Sequence, residues 1–491
     1  MTHNLSDGEH RDCRPHPRGS VRRASGFVLT DYSEVIFGNR ITSGLPTIRK
    51  LTGEQPTGGR ANYQFRGCDS VSLKSGCENN SPLDFAYSRM RLWLILILAF
   101  ASLCGDAVAQ NVAIADATVY PSQGATAKTH TTILIHAGKI AGIGSKLRIP
   151  SGVRVLPCDG CIVFAGFWNT HVHFTGPQWD KSDRVPADQL SRDMQSMLTH
   201  SGFTTVVDLS SDPNNTTALR RRVESGEVAG PRIYTAGFGL YPPHGIPFYL
   251  DDLPATLRAR LPQPATPAAA VEAVQQNQAL GSDVVKLFTG SYLTPNNITH
   301  MPLDIARAAV SEGHRHSQLV FAHPSDLQGV RIAVDSGVDV LAHAPDTVGG
   351  VDDALVKDMV ARHMAMIPTL KLFSGSGHID RIRDIVMQFH LAGGRLLFGT
   401  DTGFLTDYDV SEEYRQLELA GLSFRDVLSM LTSNPAAEFN VSSHAGSVRL
   451  GGDGDLTVLS ADPAVGDLRN FTHVLYAIRA GRVIFEAPPQ H

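Results

Sequence analysis

The chain has 491 residues, 42% of them hydrophobic and 19% charged, with a formal net charge of -5. That is the composition of an ordinary globular protein, long enough for two or three domains. A mildly acidic balance leaves no electrostatic footprint for nucleic acid, so the expected partner is a small molecule.

Residues 1–89 are rich in Arg, Ser, Gly and Asn and show no sustained apolar periodicity. They read as a disordered tail, or as upstream sequence translated from a misassigned start. Met90-Arg91 then opens an apolar run over 92–101, followed by Ala107-Val108-Ala109. A positive flank, a short apolar core and small residues at the cleavage site make 90–109 a secretory signal peptide, cut after Ala109. A periplasmic or secreted protein is expected. The run is shorter than the roughly 20 residues of a membrane span, so no stable span is expected after cleavage. A lipoprotein reading of Cys104 is disfavoured because Leu103 stands where a small residue is wanted.

Cys13, Cys68 and Cys77 lie in the leader and Cys104 in the signal, so cleavage would leave Cys158 and Cys161. No second pair completes a four-cysteine zinc site. The expectation is a small structural disulfide or two buried thiols.

From Gln110 the chain reads as short strands at 112–114, 117–120, 132–136 and 139–144, separated by turn residues such as Gly138. Its last part reads similarly, at 456–459, 474–478 and 480–485. The two ends, 110–160 and 441–491, are expected to form one small β-sandwich. Between them, over 161–440, eight apolar runs alternate with helical patterns: 162–164, 204–209, 232–236, 284–288, 319–322, 338–342, 365–367 and 396–399. Helices are expected at 267–280 and, after Pro302, at 303–312. Eight such units predict a (β/α)8 TIM barrel, an α/β fold. The connection 237–264 is long enough to be a lid or substrate-facing loop. Gly451-Gly452-Asp453-Gly454-Asp455 lacks the downstream Glu and spacing of a calcium loop and reads as a tight turn.

The chemistry gathers at the ends of those runs. His171 and His173 follow the apolar stretch 164–168, and their i, i+2 spacing on a strand aims both imidazoles one way. Lys286, His323, His343 and Asp401 each close, or nearly close, another run. Residues so placed on several strands meet at the carboxyl mouth of a barrel. Imidazoles and carboxylates suit Zn2+, with Mn2+ or Fe2+ also accommodated. Four histidines, an aspartate and a lysine exceed the needs of one tetrahedral ion, which argues for two ions per chain. An ammonium has no lone pair to give; carbamylation by CO2 would turn Lys286 into a bridging carboxylate. A metal-bound water then reaches a pKa of about 7 and serves as the hydroxide nucleophile, with Asp401 as general acid and base. His244 in the lid and Tyr292 after the fourth run are placed to meet substrate. His200, His314, His316, His363, His378 and His390 fall in predicted helices or loops and read as surface or packing residues.

With these residues in place, the chain resembles the amidohydrolase superfamily, in its imidazolonepropionase-like branch that also contains metal-dependent Xaa-Pro and Xaa-Arg/Lys dipeptidases. The segments 224–232, 336–339, 368–370, 433–436 and 454–456 look like connecting segments of that branch. The resemblance implies that His171, His173 and Asp401 hold the more buried ion. It also implies that carbamylated Lys286 bridges and that His323 and His343 hold the second ion. Asn169 departs from the family's usual Asp two residues before the first histidine and is expected to support the ligands indirectly.

Relatives in this superfamily that deaminate, or that open cyclic imidazolones, typically use one metal without the bridging lysine. Lys286 therefore favours binuclear hydrolysis of an amide or peptide bond in a small substrate such as a dipeptide or an N-acyl amino acid. The alternatives are a mononuclear cyclic-amide hydrolase or deaminase and, outside enzymes, an inactive metal- or ligand-binding protein. A homo-oligomer is compatible with the sequence.

Overall fold

The computed structural model describes residues 111–346 and 349–489. All of them belong to the larger of two units into which the chain divides, Lys50–His491. The leader, the signal segment and the first four cysteines lie outside the described residues.

The first elements form an antiparallel ladder. Strands β1 (Val112–Val119), β2 (Lys128–His136) and β3 (Lys139–Gly144) pair in turn, with Ile114 opposite Ile133 and Ile133 opposite Ile143. Strands β4 (Arg154–Leu156) and β5 (Ile162–Ala165) both run parallel to β1.

A parallel arrangement follows. Strands β6 (Phe167–Val172), β7 (Phe203–Asp208) and β8 (Arg232–Thr235) form a three-stranded parallel sheet. Strand β9 (Val285–Phe288) is followed by an antiparallel hairpin, β10 (Gly290–Thr294) and β11 (Asn297–His300). Strands β12 (Val320–His323), β13 (Val340–Ala342), β14 (Ala365–Ile367) and β15 (Arg395–Leu396) add to β9 as a five-stranded parallel sheet. Backbone bonds also link the two sheets. Leu240 N–H donates to Lys286 O and Phe288 N–H to Leu240 O, each at 2.9 Å; on the other side Thr170 N–H donates to Phe398 O and His173 N–H to Thr402 O, each at 2.8 Å.

Helices fill the crossovers, and their starts are written locally. The helix Pro213–Glu224 has Pro at its first position and the Asp212 side chain accepting from Asn214 N–H; Pro267–Ala279 repeats the device with Thr266 accepting from Ala269 N–H. Proline loses nothing where its N–H would have no partner, and the capping oxygen satisfies a donor that has none within the helix.

Period-two alternation sets the faces. Phe321, Val340, Ala342, Ala365 and Ile367 gather with Val284 in one buried cluster, while Val320, Ala322, Leu341 and Met366 join another. Lys286 shares the parity of Val284, and His323 that of Phe321, so both side chains belong to the inner side.

One expectation is corrected here. The run 162–164 is not the first parallel strand. It lies in β5, and β6, five residues downstream, carries His171, with His173 one residue past its end. Across 162–168 only Gly166 interrupts the apolar residues, and an isolated glycine inside a strand pattern does not by itself say that the chain changes sheets. Hydrogen bonds from the far end of the chain set the break: Gly166 N–H donates to Asp455 O at 2.8 Å and Phe167 N–H to Thr457 Oγ1 at 3.0 Å. The two chain ends, expected to share one β unit, join in one hydrogen-bonded sheet of eight strands. There β16 (Leu456–Leu459) pairs with β5, and β17 (Val474–Arg479) and β18 (Arg482–Glu486) extend it. The β16–β5 pairing, Val458 opposite Val163, is what makes the ladder continuous.

Cys158 and Cys161 form a disulfide with Cα atoms 5.1 Å apart. Closing so short a loop removes little chain entropy. The double Cys→Ser variant is expected to lose no more than about 2 kcal/mol, read from denaturant melts beside the parent. Among the described residues no helix is long and apolar enough to cross a membrane.

Candidate metal centre

His171 lies in β6, whose pairing with β7 shifts register between Asn169 and Val172. In spite of this irregularity the two histidine tips converge: His171 Nε2 and His173 Nε2 are 3.2 Å apart. Asp401 Oδ1 lies 3.2 Å from the first and 3.0 Å from the second. Two ligands of a single ion at about 2.1 Å stand about 3.0–3.4 Å apart, so the three atoms have the spacing of a shared cation. His343 completes a second grouping, its donor lying within 4.8 Å of those of His171 and Asp401. His343 is linked to His323, with ring centroids 4.6 Å apart.

The hydrogen bonds decide which nitrogens carry lone pairs. His173 Nδ1 donates to Ser210 O at 3.0 Å, leaving Nε2 to face Asp401. His343 Nδ1 meets Thr369 Oγ1 at 2.8 Å, and that hydroxyl donates to Pro368 O at 2.9 Å. The Thr369 proton is thereby committed, His343 Nδ1 must be the donor, and its Nε2 is free to bind a cation. Outer contacts of this kind orient the imidazoles that hold metals. Two polar atoms remain without a partner in the buried centre, His171 Nδ1 and Asp401 Oδ1; no N–H is aimed at that oxygen with hydrogen-bond geometry despite the short approaches. Buried polar atoms are rarely left so. A cation beside Asp401 Oδ1 would satisfy it, so the residues fit a metal.

Electrostatics agree. Burial, followed by repulsion from Lys286 and the other imidazoles, pushes the pKa of His171 well below the usual value. His323 and His343 are lowered well below it for the same reasons. These three rings are neutral at pH 7 and keep lone pairs to give. Lys286 is 1% exposed, with Nζ 5.5 Å from the centre of the Phe288 ring. Burial lowers its pKa to about 7, against the opposing pull of Asp401 and Asp208.

The backbone is unusual where the donors converge. Asp401 has φ 57, His343 φ 149 and Thr369 φ 47. Strand parity would send residue 343 outward with Leu341, and the departure from extended geometry at His343 goes with its inward placement. A β-branched residue in the left-handed region, as at Thr369, costs on the order of 1–3 kcal/mol, a strain found mostly where function needs it. At Gly403, φ 105, a Cβ would collide with the carbonyl of His173, so only glycine lets the chain after Asp401 pass this close to the histidine pair.

The amidohydrolase family pattern matches residues 162–484. The chain belongs to that family. Its members share a (β/α)8 TIM-barrel-like α/β fold and are typically metal-dependent enzymes acting on carbon–nitrogen bonds. Among solved structures the chain is similar to a protein of Bifidobacterium longum assigned as a prolidase, with 26% identity over 78% of this chain and 97% of that one and a TM-score of 0.65. A Xaa-Pro dipeptidase with bound methionine aligns at 19% identity over 77% and 100% of the two chains, TM-score 0.64. Molinate hydrolase aligns at 19% over 76% and 94%, TM-score 0.64. The last two likenesses are of fold alone. No curated protein matches the chain.

The amidohydrolase frame thus brings His171, His173, Lys286, His323, His343 and Asp401 into one buried cluster. Of the two predicted substrate contacts, His244 is exposed with φ 55, beside Gly245, whose carbonyl accepts from Ser291 Oγ at 2.6 Å. Tyr292 is partly buried on β10 and its hydroxyl donates to Asp346, which with burial raises its pKa. Asn169, fully buried, donates from Nδ2 to Thr400 Oγ1 at 2.7 Å and accepts the His171 N–H through Oδ1, a supporting position.

Two residues near the cluster escaped the sequence reading. Asp208 is fully buried at the end of β7, accepts from Ser211 Oγ at 2.5 Å and Thr235 Oγ1 at 2.7 Å, and attracts both His173 and Lys286. A carboxylate closing the apolar run Val206-Val207 was its signal, the same one Asp401 gives. Tyr249 in the long connection has its phenol pKa raised well above the usual value by burial and by facing Tyr241, Asp401 and Tyr292. Its ring lies edge-on to Phe404 at 5.4 Å. Nothing in the local sequence distinguishes it from other loop aromatics.

Proposed function

We propose that the chain hydrolyses an amide or peptide bond of a small substrate, a dipeptide or an N-acyl amino acid, at a centre built for two divalent cations, Zn2+ first among them. The observation that carries the reading is Lys286, an amine buried at the inner side of β9 near the imidazoles of His171, His323 and His343 and the carboxylate of Asp401. An ion-pairing lysine belongs at a surface, whereas one whose pKa is lowered to about 7 is about half free amine at neutral pH, and that amine attacks the carbon of CO2 and loses a proton to give a carbamate. His171, His173 and Asp401 would hold one ion, His323 and His343 the other, and carbamylated Lys286 would lie between. When bound, the ions supply acidified water and polarise the scissile carbonyl. Asp401 takes the proton released as water adds to the carbonyl carbon and delivers it to the leaving nitrogen as the carbon–nitrogen bond breaks. His244 and Tyr292 are assigned to the substrate side of the same mouth.

The eight parallel strands are read as one closed (β/α)8 barrel, supported by the bonds at Leu240–Lys286 and Thr170–Phe398. The secretory reading of 90–109 places the enzyme in the periplasm or outside the cell.

Metal content per chain tests the proposal, with intact mass measured under conditions that preserve carbamate. Two ions and one CO2 are expected. One ion and free Lys286 would overturn the binuclear reading and favour the single-ion cyclic-amide hydrolase or deaminase, for which the His171, His173 and Asp401 triangle suffices. The amine's lowered pKa adds a prediction: in metal-free protein under 13C-labelled CO2, the carbamate signal grows in as pH rises through about 7, because the free amine appears there. A midpoint near 10 would place Lys286 in water and defeat the assignment.

A further inference from the structure

The turn after β14 contains a division of labour that the family reading leaves unexplained. Thr369, with φ 47 and ψ 49, is the residue before the short 3-10 turn Leu370–Phe373, the position where a threonine hydroxyl ordinarily caps the N–H groups that follow. Its hydroxyl does not cap. It accepts from His343 Nδ1 instead, and the Pro368 carbonyl to which it donates also accepts from Ala344 N–H at 3.2 Å. The missing cap comes from elsewhere in the chain. Glu413, fully buried on the helix Ser411–Leu419, accepts Lys371 N–H through Oε2 at 2.7 Å and is also bonded by the Leu370 backbone N–H.

We propose that Thr369 is a positioning residue for the His343 imidazole, and that Glu413 positions Thr369 by capping the turn in its place, freeing the hydroxyl for the histidine. The helix that carries Glu413 follows the segment beginning at Asp401, so the relay ties the ends of two donor-bearing regions together. This inference rests on the reading of His343 as a metal ligand. Thr369→Val keeps the shape and removes the acceptor; Thr369→Ser keeps the hydroxyl; Glu413→Ala removes the cap.

The test is zinc affinity by chelator competition, on folded protein well below its melting temperature, together with kcat and KM on the best substrate from a dipeptide panel. Thr369→Val is expected to bind zinc about 10–100-fold more weakly, as lost outer contacts to metal-bound histidines do, with the loss in kcat rather than KM. Thr369→Ser recovers most of it. Glu413→Ala loses affinity in the same direction, and the double variant is no worse than Thr369→Val alone, since Glu413 acts through Thr369. A purely structural role would lower the melting temperature of all variants and leave the zinc affinity of the folded protein unchanged, which overturns the proposal. Losses that multiply in the double variant overturn the Glu413 step. If Glu413→Ala does not fold, the comparison of Thr369→Val with Thr369→Ser decides the Thr369 step, and Glu413→Met, which fills the space but supplies no accepting oxygen to the turn, with Thr369→Val/Glu413→Met decides the other by the same criterion. A parent protein that binds no zinc overturns the reading of the site itself, a failure visible before any variant is made.

Discussion

Asp401→Asn is expected to fold as the parent does and to lose about 10²–10⁴ in kcat/KM, the range a positioned proton carrier contributes. The substitution is chosen for the backbone as much as for the carboxylate. Asp401 has φ 57, where Asn is among the few residues that sit comfortably and Ala is not. The carboxamide keeps an oxygen near His171 and His173 but carries no charge and takes no proton at neutral pH. Metal content is expected to fall less than activity, because the two imidazoles remain 3.2 Å apart as donors. Zinc analysis, circular dichroism and kcat/KM on one preparation check all three statements. Activity within tenfold of the parent would remove Asp401 as the proton carrier.

Lys286→Met is expected to move stability and activity in opposite directions. The unbranched thioether fills nearly the same space on the inner side of β9, and it removes an amine that the fold holds at a cost. The fall in pKa from 10.5 to about 7 corresponds to roughly 5 kcal/mol against the charged form. Even discounted, the metal-free variant should be more stable than the metal-free parent by a few kcal/mol at pH 7. The sign of the pH dependence follows from proton counting. Between about pH 7 and 10.5 the unfolded chain holds a proton on Lys286 that the folded chain has released, so parent stability rises with pH across that window. The variant lacks this rise, and its advantage should shrink as pH climbs. Activity goes the other way: on the proposed two-ion mechanism, losing the Lys286 bridge would forfeit several kcal/mol of transition-state stabilisation, on the order of 10²–10³ in rate. Thermal melts of chelated protein at pH 7 and pH 9.5, with rates on the metal-loaded form, check both halves. A variant less stable than the parent at pH 7 would mean that Lys286 is well paired in the fold. Full activity would mean that it bridges nothing.

Much of the site was legible because its signal is local. His171, His173, Lys286, His323, His343 and Asp401 all stand at or beside the end of an apolar run, and runs alternating with helical patterns predict parallel strands whose ends share one mouth. Asp208 carries the same signal but does not stand out, because a single acid after two valines is also what an ordinary strand end looks like. The first strand of the parallel arrangement is not legible locally because across the apolar stretch 162–168 only Gly166 marks a break, and the bonds that divide it, Gly166 to Asp455 and Phe167 to Thr457, come from nearly 300 residues away.

By itself the sequence determined the α/β fold class, the family and which side chains stand at the run ends, since these follow from hydrophobic period, helix caps and residue type. Only the tertiary structure decided that three donor atoms converge within 3.2 Å, that His343 turns inward against strand parity, and that Thr369 spends its hydroxyl on an imidazole while Glu413 caps in its place. It likewise decided that the strands of both chain ends form a single sheet. The physical reason is one of range. Period and capping act between residues a few positions apart, whereas left-handed backbone at Thr369 and Asp401, a neutral lysine and a shared cation site are stable only when segments far apart in the chain supply the hydrogen bonds and the burial that hold them there.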